Sequence, residues 1–257
     1  MLRHAPLAVA AAVLVLVAGL TAVAALAATG EPETVPVKPM TGVVVAVDPG
    51  HNGGNGSHPS AINRQVPAGG FRKACDTTGA QTNDGKLTEA AFNLDVALRL
   101  RRALHAAGAK VVMTRTSNTG VGPCVDRRAR IGNRAHADVA ISIHADGGPP
   151  AGRGFHVIHP GRVRGYTEPI VVPSLALARL VRTRLDRAGL RRATYTGRDG
   201  LARRTDLGGL NLSTVPKVLV ELGNMRNAGD AAQLEAPAWR QRVARALARS
   251  LQDFTTR

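Results

Sequence analysis

The sequence predicts an α/β fold with a largely parallel sheet. Short apolar runs rich in β-branched residues, at 43–47, 110–114, 139–143, 155–158 and 217–222, alternate with segments whose apolar residues return every three or four positions. Composition agrees: 257 residues, 44% hydrophobic and 20% charged, suffice for one large domain and exclude a collagen-like or low-complexity chain. Aromatics are only 3%, so the core must be built from Val, Leu, Ile and Ala.

Val43–Val47 reads as a strand buried on both faces, closed by Asp48-Pro49-Gly50-His51. Residues 52–85, rich in Gly, Asn, Ser, Thr and Pro, form a long loop with room for a hairpin; loops of that length are usually functional or mobile. A helix starts at Thr88, with Ala90, Leu94, Ala97, Leu100, Leu104 and Ala107 on one face and Gly108 ending it. Lys110–Thr114 is a strand, Asp126–Ala135 a helix, and Val139–Ile143 another buried strand. Phe155–Ile158 is a further strand, and Pro173–Ala188 is a helix closed by Gly189. Lys217–Leu222 is a strand, and Pro237 opens the last helix, with Trp239, Val243, Ala246, Leu247, Ser250, Leu251 and Phe254 on one face.

The N-terminus reads as a targeting signal. Residues 5–28 carry no charge and are almost all Ala, Val and Leu, and Ala25-Leu26-Ala27 fits a small-x-small cleavage site. The stretch is also long enough to cross a bilayer as an uncleaved anchor. The expected organisation is a signal peptide at 1–28, a Pro- and Glu-containing linker at 29–40, and one folded domain at 41–257, exported to the periplasm, cell wall or medium. Outside the cytoplasm Cys75 and Cys124, the only two cysteines, are most simply a disulfide, with two free thiols as the alternative.

Two histidines follow buried strands, His51 and His144, where an open α/β sheet lines its ligand crevice. Glu89 lies in the first turn of a helix, a position the helix dipole favours in any case. Glu221 follows Val218-Leu219-Val220, so its carboxylate needs a partner near the sheet interior. Two His and two Glu are the minimum kit for a zinc hydrolase: three ligands, an acidified water, and a carboxylate to move its proton. The chain lacks H-E-x-x-H and G-x-S-x-G, which excludes a zincin and a nucleophile-elbow serine hydrolase. His4, His58, His105, His136, His156 and His159 read as surface or structural, with His156 nearest the same sheet edge.

Val45-Ala46-Val47-Asp48-Pro49-Gly50-His51-Asn52-Gly53-Gly54, Glu89-Ala90-Ala91-Phe92-Asn93-Leu94, Val112-Met113-Thr114-Arg115, Ser142-Ile143-His144-Ala145-Asp146 and Val218-Leu219-Val220-Glu221-Leu222-Gly223-Asn224 together resemble the zinc-dependent N-acetylmuramoyl-L-alanine amidases of the Amidase_3 class, in family order. The resemblance is to the secreted mycobacterial and actinobacterial members in particular. It implies one Zn²⁺ on His51, Glu89 and His144, with Glu221 as general base and acid. It implies cleavage of the amide between N-acetylmuramic acid and L-alanine of the peptidoglycan stem peptide, and a mixed sheet of about six strands flanked by helices. The Cys75–Cys124 pair is not a general family feature, and Gly161–Thr167 lacks the apolar periodicity of the plug helix some members carry there.

Lys plus Arg is 34 against 18 Asp plus Glu, a formal charge of +16. Such a surface points to an anionic partner. Arg101, Arg102, Arg127, Arg128, Arg130, Arg179, Arg182, Arg184, Arg187, Arg191 and Arg192 supply much of it, either as solvated helix faces or as a surface for the bacterial wall. Peptidoglycan or its fragments is the expected partner and a monomer the expected state, with membrane contact only through the N-terminal segment. Nucleic acid is a poor partner, because stacking aromatics are nearly absent. Two other functions stay open: a zinc peptidase cutting within the stem peptide, and a secreted polyanion-binding module without catalysis.

Overall fold

A computed structural model describes residues 1–2 and 39–256. Residues 3–28 of the expected signal segment and residues 29–38 of the linker therefore lie outside the described residues. Among the described residues no helix is long and apolar enough to cross a membrane.

The elements run β1 (Val44–Pro49), α1 (Pro59–Asn63), β2 (Gln65–Pro67), β3 (Arg72–Ala74), α2 (Glu89–Ala106), β4 (Lys110–Met113), α3 (Val125–Arg134), β5 (Val139–Asp146), β6 (His156–Pro160), α4 (Val171–Arg187), β7 (Leu201–Arg204), α5 (Gly208–Asn211), β8 (Lys217–Asn224), α6 (Ala228–Glu235) and α7 (Pro237–Thr255). Six strands form one sheet in the order β4-β1-β5-β8-β6-β7, and β2 and β3 form a separate hairpin. All neighbours in the large sheet are parallel except β6 and β8. This is the expected mixed, mostly parallel α/β domain.

The two sheet faces differ in chemistry, which fixes where the site lies. Val45 and Val47, Val139, Ile141 and Ile143, and Val218, Val220 and Leu222 point into the main core, shared with Phe92, Val96 and Leu100 of α2, Leu177 and Val181 of α4, and Val243 and Leu247 of α7. The alternate residues Asp48, Ser142, His144, Lys217 and Glu221 line a cleft of about 290 Å³ on the other face, as the two-residue period of a strand requires. There α3 packs close: a Cβ on Gly132 would sit 3.2 Å from that of Ala46. Val43–Val47, expected as a strand buried on both faces, is only partly buried at Val43 and Val44 and fully buried from Val45; its cleft side stays apolar through Ala46, and buried charge enters at Asp48.

Several boundaries move. β5 runs on to Asp146, so His144 lies within the strand rather than after it. β8 likewise continues past Glu221 to Asn224. On α2 the buried stripe takes Phe92 and Val96, while Leu94 is only partly buried. The long loop holds α1, a 3-10 turn at Asn55–Ser57 and the β2–β3 hairpin. Residues 164–170 form turns, without a helix. The strand β7 and helices α5 and α6 had no strong signal, being four, four and eight residues long.

Candidate metal centre

His51 follows β1 in a turn at φ 56°. Its Nδ1 lies 3.0 Å from Asp76 Oδ1 and 3.1 Å from the Thr77 carbonyl, so its Nε2 faces inward, 3.2 Å from Glu89 Oε1. Glu89 is the first residue of α2, capped by the Thr88 hydroxyl, and is only 4% exposed. One of its oxygens accepts from the Ala80 backbone at 2.7 Å. The other accepts from the Ala145 backbone at 3.2 Å and lies 2.9 Å from His144 Nδ1. The three ligand atoms offered by His51, Glu89 and His144 lie within 4.8 Å of one another, the one such His/Cys/Asp/Glu group among the described residues.

Two glycines make this packing possible. A Cβ on Gly50 would overlap the His144 ring, and one on Gly79, at φ +79°, would lie 2.9 Å from both Glu89 Oε2 and His51 Cδ2. Any larger residue at either position would push the cluster apart.

The donor set suits zinc. Two imidazoles and one carboxylate match the ligand count of a catalytic Zn²⁺ site, while Mg²⁺ and Ca²⁺ favour more oxygens. The Asp76 bond to the far side of His51 is the partner a metal-bound imidazole usually has. Electrostatics agree. Burial disfavours charge on His51, but Glu89 and Asp76 outweigh it and push the imidazole up to about 10. Burial opposes ionisation of Glu89 too, yet His51 and His144 hold its carboxyl well below the usual range. The Glu89 carboxylate thus stays ionised at the point where the three ligand atoms converge, as a bound cation requires.

Glu221 pairs with His144 in the β5–β8 register and shares its cleft. Its Oε2 is buried without a hydrogen-bond partner. Burial first, then the charges of Glu89 and Asp146, raise its carboxyl well above the ordinary value. His156 lies opposite Glu221 in the β6–β8 register, edge-on to Tyr195 at 6.2 Å, and burial lowers it to about 4; it is outside the metal group.

The sequence reading missed the ionic network beneath the site. Arg128, counted above as a surface cation, is 4% exposed because α3 aims it inward: it pairs with Asp48 at 3.0 Å and Asp76 at 3.2 Å. Lys217 reaches Asp48 at 3.1 Å, and Thr114 and Ser142 donate to the same carboxylate at 2.7 and 2.9 Å. Cys75 and Cys124 form a disulfide. It ties Asp76 to the N-cap of α3, Cys124. The Asp next to a cysteine and the Asp closing β1 were the available signals.

A cleft on one face of a mixed α/β sheet, with a His/Glu/His group that could hold a metal ion and a second buried Glu, fits the hydrolase class. The Amidase_3 family model, described as N-acetylmuramoyl-L-alanine amidase, matches residues 45–253, and the chain belongs to this family of peptidoglycan hydrolases. It is 43% identical over 221 residues to N-acetylmuramoyl-L-alanine amidase Rv3717 of Mycobacterium tuberculosis, covering 84% of this chain and 87% of that one. The crystal structure of the amidase Ami1 from Mycobacterium smegmatis superposes with a TM-score of 0.79 at 42% identity, covering 85% and 99% of the two chains. The catalytic domain of CwlV from Bacillus (Paenibacillus) polymyxa gives 0.62 at 26% identity, over 82% and 97%.

Proposed function

We propose that the protein is an exported amidase that uses one Zn²⁺, held by His51, Glu89 and His144, to cut the amide between N-acetylmuramic acid and L-alanine of the stem peptide. The observation that carries this reading is the convergence of three ligand atoms within 4.8 Å beside a buried, unpartnered carboxylate oxygen on Glu221. Zinc, when bound, supplies Lewis acidity that polarises the amide carbonyl and makes water a better nucleophile near neutral pH. Glu221 Oε2 takes the proton of the attacking water and passes it to the departing nitrogen. Asp76 holds the His51 ring so that Nε2 stays presented, and Arg128 and the disulfide hold Asp76.

Residues 1–28 act as the signal peptide, 29–40 as a linker, and 41–257 as the catalytic domain, working as a monomer on the wall outside the cytoplasm. The test is mass spectrometry of digested muropeptides with metal analysis of the purified protein. Free glycan with intact stem peptides and one zinc per chain is expected. Cleavage within the stem peptide would replace this reading with a peptidase.

A further inference from the structure

Across the sheet from the metal cleft, α4 and α7 enclose a trough of about 610 Å³ lined by Arg184, Arg187, Arg242, Arg245 and Arg249. The rest of its lining is alanine and Gln241, with no acidic residue. Arg184 is engaged, at 2.6 Å from Asp253. The other four have no ion pair or side-chain hydrogen bond among the described residues, and all four are exposed. On α4 a cation in the last turn is explained by the helix dipole. On α7 it is not: Arg242, Arg245 and Arg249 stand mid-helix, three and four positions apart on one face, where like charges repel and oppose helix formation. This row lies outside the basic positions read from the sequence, and it is the feature that asks for a ligand.

We propose that this trough binds an extended, phosphate-bearing polymer of the cell envelope and so holds the protein on the wall independently of the metal site. All five cations are arginine, whose planar fork matches phosphate oxygens two at a time. The α7 row extends about 10 Å along the helix axis, long enough to meet successive charges of a chain. None of the exposed large apolar side chains among the described residues lines the trough, so it lacks the anchors of a membrane-surface helix. No aromatic lines it either, so it has no platform for stacked bases.

The experiment measures binding of the purified protein to long-chain inorganic polyphosphate, at two salt concentrations. Three proteins are compared: wild type, R242E/R245E/R249E, and R102E/R127E/R134E. The second variant reverses three exposed arginines of α2 and α3, so both variants carry the same net charge. The trough variant is expected to bind about tenfold more weakly or worse, with a shallower salt dependence, and the control to lose less than about threefold. R242K/R245K/R249K, which keeps charge but not the fork, is expected to fall between. Thermal unfolding of the trough variant should be essentially unchanged, because three glutamates repeat the like-charge repulsion of the row, and cleavage of a soluble muropeptide should be unchanged in all variants. Equal losses in the two reversal variants would show that bulk charge, not the trough, binds. Loss of binding to phosphatidylglycerol vesicles or single-stranded DNA, with polyphosphate binding intact, would assign the trough to a membrane or nucleic acid and overturn the proposal.

Discussion

In the proposed reaction the proton is moved by Glu221. Replacing it with Gln keeps the shape of the side chain and removes the proton acceptor, so turnover should fall about 10²–10⁴-fold with zinc content unchanged. The same variant has a stability signature. Burial raises the folded-state value of this carboxyl, so its contribution is fully present below the unfolded value and is lost as pH rises through the folded one. In metal-stripped protein, Glu221→Gln should therefore be more stable than wild type at neutral and alkaline pH, and melting curves across pH check it. At the proposed ligands, His51→Ala and His144→Ala should each abolish stoichiometric zinc. The His51 imidazole keeps its proton to about pH 10 in the metal-free protein, so binding must release protons and strengthen as pH rises. Proton release during zinc titration in a weak buffer measures this directly.

At the level of elements, the disulfide, the β2–β3 hairpin and the start of α3 work as one brace for His51. Cys75 and Asp76 are adjacent, so the covalent tie to Cys124 fixes the carboxylate that orients the imidazole. Cys75→Ala with Cys124→Ala should cost about 4 kcal/mol in the chain-entropy model for a loop of this length. Asp76→Asn should lose about 10–100-fold in zinc affinity while keeping the disulfide. A competition assay with a zinc chelator, run on both variants, separates brace from ligand support. Equal zinc affinity in all three proteins would show that the brace serves folding alone.

For the whole molecule, the sheet joins an apolar face, which supplies the core, to a face with a buried charge cluster. Asp48 is the hub. Burial opposes its ionisation, but Lys217 and Arg128 outweigh that and hold its carboxyl far below the usual range. Removing it strands the buried Lys217 and leaves Arg128 only Asp76, so Asp48→Ala should lose about 3–5 kcal/mol, read from denaturant unfolding. The pH dependence has the opposite sign to that of Glu221: the Asp48 contribution is present above about pH 4 and is lost as pH falls below it. Wild-type stability should therefore drop in acid, and the drop should shrink in the Asp48 variant.

What the sequence by itself determined is local. Alternating β-branched and helical periodicity set the α/β class, the apolar stripe of α7 was legible from Trp239 to Leu251, and His51, Glu89, His144 and Glu221 stood at strand ends and a helix start where chemistry is expected. The Cys75–Cys124 pair followed from there being only two cysteines. Tertiary structure decided the rest, because no local pattern encodes it. The antiparallel entry of β6 beside β8 depends on pairing direction, not on composition. Arg128 reads as one more basic helix residue until α3 turns it toward Asp48 and Asp76. Asp48 and Lys217 lie 169 positions apart, and only the closed sheet brings them together, where a buried charge persists because its partner is already in place.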